Sequence, residues 1–331
     1  MELRAVGTSE LMRLIIAMPV LDDWQAARLV CDAIDHVLQE HPETRCTLLL
    51  VDDGSNSLVG STFLDFAPKA LWSLQLLKLR RNLGHQRAIA IGLSYIQNHL
   101  PCDAVVIMDS DGEDRPEDIP RLVSKLKESP FPVTVFAQRG RRVEGLKFKV
   151  FYQLYRGLHF LLTGRGIAVG NFSVIPIEHL NRLVCHPELW NHYAATVVNS
   201  RLPWTTVRAD RAERLRGESK MNFVSLVTHG LSAVFAYQET VSARILIGST
   251  VLSILLCTFV VAVLILKIFA TLKIPGWSIF VAGVLPLMVL QILATSVILV
   301  FSGMINRSNL GFLPVRDYQY FVSECLSLQV Q

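Results

Sequence analysis

The chain has 331 residues, of which 51% are hydrophobic, and a formal net charge of +4; its mean hydropathy is +0.38. So small a charge does not point to nucleic acid, and the composition is more apolar than that of an ordinary soluble domain. Six cysteines (Cys31, Cys46, Cys102, Cys185, Cys257 and Cys325) are scattered without a Cys-x-x-Cys pair, which predicts reduced, mostly buried thiols.

Residues 13 to about 135 alternate strand-like and helix-like pieces. The apolar piece Leu14 to Val20 is too short for a secretory leader; Leu14 to Met18 reads as a first strand, followed by Pro19 and a helix from about Asp23 to Gln39. Thr47 to Val51 forms a second strand that ends in the turn Asp52-Asp53-Gly54-Ser55. Leu74 to Leu79 supplies a third strand, Gln86 to Gln97 a helix, and Ala104 to Met108 a fourth strand. Short apolar strands with polar ends predict a parallel sheet whose carboxyl edge holds a ligand, and Asp52, Asp53, Asp109 and Asp111 converge there.

The run Met108-Asp109-Ser110-Asp111-Gly112-Glu113-Asp114 closes that fourth strand. Two carboxylates one residue apart, with a glycine relieving the turn, suit a hard divalent cation bound to diphosphate oxygens. Taken alone the run also fits an acidic surface turn, and the rest of the chain decides between the two.

Further on the character changes. Arg139, Arg141, Arg142, Lys147 and Lys149 make one basic window, and Arg201, Arg208, Arg211, Arg214, Arg216 and Lys220 another; each suits anionic headgroups or phosphate, with a solvated basic face as the alternative. Residues 149–163 and 221–237 carry apolar side chains at helical spacing and fit core or interfacial helices equally well. From Ile245 to Leu266 and from Trp277 to Phe301 the chain is uncharged, long enough twice over to cross a hydrocarbon core of about 30 Å. Lys267 and Lys273 on one side nearly balance Arg244, Arg307 and Arg316 on the other, so charge does not set the orientation. Two spans put the amino-terminal part and the tail on one side, and with no signal peptide that side is expected to be cytoplasmic.

In order, Ala17-Met18-Pro19-Val20, Val51-Asp52-Asp53-Gly54-Ser55, Arg81-Asn82-Leu83-Gly84-His85-Gln86, Met108 to Pro116, Gly170-Asn171-Phe172 and Arg216-Gly217-Glu218-Ser219-Lys220 resemble family 2 glycosyltransferases of GT-A fold. The resemblance is closest to membrane-anchored polyisoprenyl-phosphate glycosyltransferases related to dolichyl-phosphate mannose synthase, and it covers residues 13 to 305. It implies an α/β GT-A nucleotide-sugar-binding domain with a mostly parallel sheet, then interfacial amphipathic helices and two transmembrane helices. It also implies a base and ribose pocket at Asp52 and Asp53 with Pro19 in its floor. Mg2+ or Mn2+ is then expected at Asp111 and Asp109, with Asp109 also orienting the donor. By the same resemblance Arg216, Ser219 and Lys220 lie near the donor phosphates, and Arg139 and Arg142 hold a lipid phosphate.

Three departures stand out. Leu21, Asp22 and Asp23 replace the family's Tyr-Asn-Glu; Asn171 replaces the aspartate proposed as base in close relatives; the Gln-x-x-Arg-Trp motif of processive synthases is absent. A lipid monophosphate, with a second pKa of about 6, is already largely dianionic near neutrality and needs no base, so Asn171 would serve by orienting the acceptor or a sugar hydroxyl.

The leading expectation is inverting transfer of a single sugar from a nucleotide-sugar donor to a polyprenyl phosphate at the cytoplasmic membrane face. The alternatives are a nonprocessive transferase acting on a sugar or lipid hydroxyl, with Asp114, Glu113 or Glu188 as base, and a catalytically silent scaffold. Two helices are too few for a flipping pathway, so a flippase is an expected partner, and their packing offers a route to a homo-oligomer. The expected organisation is a catalytic domain over 1–220, including a juxtamembrane helix near 149–163, an amphipathic segment over 221–243, a hairpin over 244–305 and a tail over 306–331. A chain cut after Arg244 is then expected to keep a folded donor-binding domain.

Overall fold

The computed structural model describes residues 11–57, 59, 62, 63, 65–139, 146–164, 166, 169–210, 212, 214, 215, 230–269, 277–308 and 312–330. The chain forms two compact units. One comprises Met1–Leu146, Ala168–Ala236 and Phe312–Gln331; the other comprises Lys147–Ile167 and Tyr237–Gly311.

The first unit is built on an eight-stranded sheet. Its centre is β1 (Met12–Val20), β2 (Thr44–Asp52), β3 (Leu71–Leu79) and β4 (Ala104–Ile107), with β1 parallel to both β2 and β4, and β2 parallel to β3. These are the four strands expected from the sequence. Beyond them lie β5 (Thr134–Arg139), β6 (Ser173–Pro176), β7 (Trp204–Ala209) and β8 (Val322–Val330), in the order β7-β5-β6-β4-β1-β2-β3-β8. β6 runs antiparallel to β4 and β5, β8 runs antiparallel to β3, and β7 is parallel to β5.

Strand alternation divides the core between the two faces. Leu14, Ile16 and Met18 pack with α1 (Trp24–Gln39) and α3 (Ile119–Glu128). Ile15 and Ala17 pack with α2 (His85–His99), α5 (Ile177–Leu183) and α6 (Tyr193–Asn199) on the other face. Both faces are covered, which is why these strands read as continuous apolar runs. Asp35 on α1 receives the backbone N–H groups of Lys69, Ala70 and Leu71 and so fixes where β3 begins. Although burial works against the charge, these amides and Gln39 hold its carboxyl below the ordinary range. All six cysteines are free, and burial pushes the thiols of Cys31, Cys46 and Cys102 well up.

The second unit contains α4 (Leu146–Thr163, all but its first residue), α7 (Gln238–Phe269) and α8 (Trp277–Ser308). Helix α4 thus groups with the hairpin and not with the catalytic domain to which the sequence assigned it. Arg244 explains the link: its Nη1 donates to Leu161 O at 3.0 Å, a cation on the carbonyl end of α4. Helices α7 and α8 are long and apolar enough to cross a membrane, and only 11% of the most apolar window of each is buried, whereas a soluble core helix would be mostly covered. Hydroxyls in these helices, at Ser249, Thr250, Thr258, Thr295 and Ser296, donate to carbonyls of their own helix, which suits a medium without water.

Residues 306–331, expected as a tail, differ most from the expectation. After α9 (Pro314–Asp317), Tyr318 is buried and its hydroxyl lies 2.8 Å from His99 Nε2 on α2. Then β8 pairs along β3, with Lys78 to Glu324 at 2.9 Å on its flank. The apolar positions of β8 pack on both sheet faces. The expectation for a chain cut after Arg244 is therefore reversed. That chain loses α9 and β8 and exposes the β3 edge to self-association. We expect it to elute as aggregate in size-exclusion chromatography, and a chain with 237–311 replaced by a flexible linker, keeping 312–331, to elute as a folded species with a cooperative thermal transition.

Candidate active site

Three strand ends are pinned together at the carboxyl edge of the sheet. Ser110 Oγ donates to Pro19 O at 2.7 Å, tying the end of β4 to that of β1, and Asp53 N donates to Val20 O at 2.9 Å, tying in β2. Pro19, Asp52, Asp53, Asp109 and Asp111 thus gather at this edge as the sequence predicted.

Asp53 points inward and is 3% exposed. Its Oδ1 accepts from Leu83 N at 2.8 Å and its Oδ2 from Gly84 N at 2.9 Å. Burial holds its carboxyl above the ordinary range against the pull of the two amides and His85. Gly84, at φ +93, then turns the chain into α2. The partner turn is as tightly fitted: at Gly54, φ +74, an added Cβ would lie 2.5 Å from Asn82 N. Asp52 Oδ1 accepts from Ser55 N at 2.8 Å and closes the turn.

The departures at Asp22 and Asp23 acquire a physical account here. Asp22, at φ +51, receives the N–H groups of Asn56 and Ser57 at 2.8 and 2.9 Å and so braces the loop after β2. Asp23 Oδ2 accepts from Arg214 Nη2 at 2.8 Å.

The Asp-x-Asp turn is braced from within. Asp109 N donates to Asp114 Oδ2 and Glu113 N to Asp111 Oδ1, each at 3.0 Å. Ala212 and Leu215 lie along it: Ala212 N donates to Glu113 O, Leu215 N to Asp111 O, and a Cβ on Gly112 would strike the Leu215 side chain. This places Arg214 Nη1 3.7 Å from Asp111 Oδ2. The sequence had put Arg214 only in a basic window.

His85, the first residue of α2, was quoted as part of a motif but given no role. Its Nε2 lies 3.1 Å from Asp109 Oδ1 and 3.1 Å from Asn171 Nδ2. Desolvation pulls its pKa down, but Asp109, Asp53 and Asp111 more than offset this and hold it above the ordinary value, even though 41% of the side chain reaches solvent. A polar residue opening a helix directly after a strand-to-helix loop at the ligand edge was the signal for it. Asn171, just ahead of β6, is thereby brought to the carboxylate pair.

Among the described residues no three His, Cys, Asp or Glu side chains form a ready-made metal cage. Two hard carboxylates at an open edge, with a guanidinium drawn to one of them, fit a cation that takes its remaining oxygens from a diphosphate. Arg142, Arg216, Ser219 and Lys220 lie outside the described residues, as does the Arg139 side chain at the end of β5.

The family model described as Glycosyl transferase family 2 matches residues 16–181. The chain is 26% identical over 307 residues to the uncharacterized glycosyltransferase YkcC of Bacillus subtilis (strain 168), covering 88% of this chain and 87% of that protein. It is 26% identical over 232 residues to the undecaprenyl-phosphate 4-deoxy-4-formamido-L-arabinose transferase of Enterobacter sp. (strain 638), covering 67% of this chain and 66% of that one, slightly under two thirds of its length. The crystal structure of glucosyl-3-phosphoglycerate synthase from Mycobacterium tuberculosis, in complex with Mn2+, UDP-glucose and phosphoglyceric acid, superposes with a TM-score of 0.50 at 18% identity. That match covers 74% of this chain and 85% of the synthase chain and shows a shared fold.

The interlock of the two loops yields a test. Gly54→Ala forces a side chain into a left-handed position and against the Asn82 backbone, a combination expected to cost more than about 1 kcal/mol. A lowered melting temperature together with weakened nucleotide binding checks it; an unchanged melting temperature would show that the loops are not mutually fitted.

Proposed function

Because the chain belongs to glycosyl transferase family 2, we propose that its GT-A unit transfers one sugar from a nucleotide-sugar to a polyprenyl phosphate, with inversion by in-line attack of the lipid phosphate. The observation that carries this reading is the amide of Asn171 against His85, the imidazole that pairs with Asp109, where an acceptor hydroxyl would call for a base. Two of the three carboxylates named as alternative bases are otherwise engaged: Asp114 is buried beneath the Asp109 N–H, and Glu188 pairs with His186. An acceptor that arrives as an anion needs none of them.

In this reading Asp52 and the turn after β2 receive the nucleoside over Pro19, while Asp53 holds the turn from beneath. Asp111 and Asp109 hold Mg2+ or Mn2+, which supplies Lewis-acid charge to the leaving diphosphate. Arg216, Ser219 and Lys220 flank the donor phosphates, and Arg139 and Arg142 receive the lipid phosphate as guanidinium forks. His85 keeps Asp109 in place. Helices α7 and α8 anchor the chain in the membrane and α4 lies at its surface, so that a lipid acceptor is encountered at high local concentration. Because β8 pairs with β3 after the hairpin, the sheet and the carboxy-terminal segment share one side of the membrane; free buried thiols fit the reducing, cytoplasmic side. A separate flippase would move the product across.

Two measurements test the reading. Asp111→Asn is expected to lower turnover at least about a hundredfold with an unchanged melting temperature; activity within twofold of the parent and the same metal dependence would remove the cation from this pair. Asn171→Asp, assayed as initial rate against pH with a short polyprenyl phosphate and with the corresponding alcohol, is expected to bring no large gain, since the acceptor already carries its charge. A rise of about tenfold or more with the alcohol, the low end of what a positioned base contributes, would favour the hydroxyl acceptor.

A further inference from the structure

A chain of amides runs from the protein interior to the reaction space. Tyr193 N donates to Gln86 Oε1 at 2.7 Å, Gln86 Nε2 donates to Asn171 Oδ1 at 3.2 Å, and Asn171 Nδ2 faces His85 Nε2 at 3.1 Å. Asn171 is held from its backbone too: Ser173 Oγ donates to Asn171 O at 2.8 Å and lies 2.6 Å from the hydroxyl of the same Tyr193. Tyr193 and Ser173 are fully buried, and Gln86 nearly so.

The direction of this chain is not arbitrary. A backbone N–H can only donate, so Gln86 must turn its oxygen to Tyr193 and its NH2 to Asn171. Asn171 must in turn offer its oxygen to Gln86 and its NH2 toward His85, whose Nε2 can take an N–H from it only while that nitrogen is unprotonated. Reversing either amide would set donor against donor in a buried place, where an unmatched polar group is costly.

We infer that Gln86 is a positioning residue that fixes the polarity of Asn171, so that the site presents an N–H donor to its acceptor and thereby selects an anionic oxygen. The inference rests on the proposed transfer to a lipid phosphate. It adds a residue that touches neither substrate and that acts only through Asn171.

Gln86→Glu is the informative change, being nearly isosteric. The carboxylate still accepts from Tyr193 N, but its other oxygen now demands the Asn171 NH2, so the amide rotates and shows its oxygen to the acceptor. Four full-length chains are compared in detergent: parent, Gln86→Glu, Asn171→Ala and the double variant. The assay uses a short polyprenyl phosphate and whichever nucleotide-sugar of a panel the parent turns over fastest. Expected is a rise of at least tenfold in KM for the lipid phosphate in Gln86→Glu, with donor KM within twofold. In the Asn171→Ala background the same change should add less than twofold. An equal effect in both backgrounds, or none in the parent, overturns the inference, because the added charge or a general loosening would then be the cause.

A thermal cycle reads the orientation without any acceptor. Asn171→Asp alone keeps an acceptor for the Gln86 NH2, whereas Asn171→Asp with Gln86→Glu sets two carboxylates face to face. The double variant should therefore lose more melting temperature than the sum of the single variants at pH 8. Additive losses overturn the Gln86 assignment. Non-additive losses in a protein that transfers nothing to polyprenyl phosphate sustain the Gln86 assignment and overturn the phosphate acceptor.

Discussion

The site depends on one buried carboxylate. Asp53 directly follows β2 with both oxygens taken by the backbone amides that lead into α2, and through them the position of a whole helix start is referred to the sheet. His85 and Gln86 stand on that start, and Asn171 is held by both. A charge in a low-dielectric place is tolerated when backbone donors converge on it. The arrangement therefore joins two chain segments rigidly without any side chain entering the space left for a substrate. The resemblance assigned Asp53 to nucleotide contact, whereas its geometry makes it the joint on which the pocket turns.

Acidic residues crowd this edge, and the fold answers each of them differently. Asp22 and Asp114 are absorbed by backbone amides, Asp23 by a guanidinium, and Asp109 by an imidazole. In Asp111 one oxygen braces the turn, and the other lies 3.7 Å from the Arg214 guanidinium. The contacts of Ala212 and Leu215 keep Arg214 within reach of the same carboxylate.

The central parallel strands, α1, α2, the acidic turn and the hairpin were legible because each carries a local signal: an apolar run of strand length, a helical period, or an uncharged stretch. β5, β6 and β7 were not, since 134–139, 173–176 and 204–209 are short and mixed in polarity, and only their neighbours make them strands. β8 was hidden for a different reason. Its sequence, Val322 to Val330, alternates apolar and polar residues only from Leu326 onward, it follows two long apolar helices, and position in the chain suggested a tail. In the site, residues at strand ends were found because type and place agree. Gln86, Arg214 and the partners of Asp22 were missed because their roles come from contacts across 107, 191 and 34 or 35 positions of sequence.

The discontinuous sheet also imposes an order of birth. β3 emerges early from the ribosome with an open edge, and the strand that closes it is made only after the whole hairpin. With both helices crossing a bilayer, as proposed, the sheet would close late, once the chain had returned to the starting side; a single crossing would carry β8 to the wrong compartment and leave β3 uncapped. Membrane insertion and sheet closure would then check one another. A misinserted molecule would be marked for chaperones and proteases by its bare edge before it could ever meet a substrate.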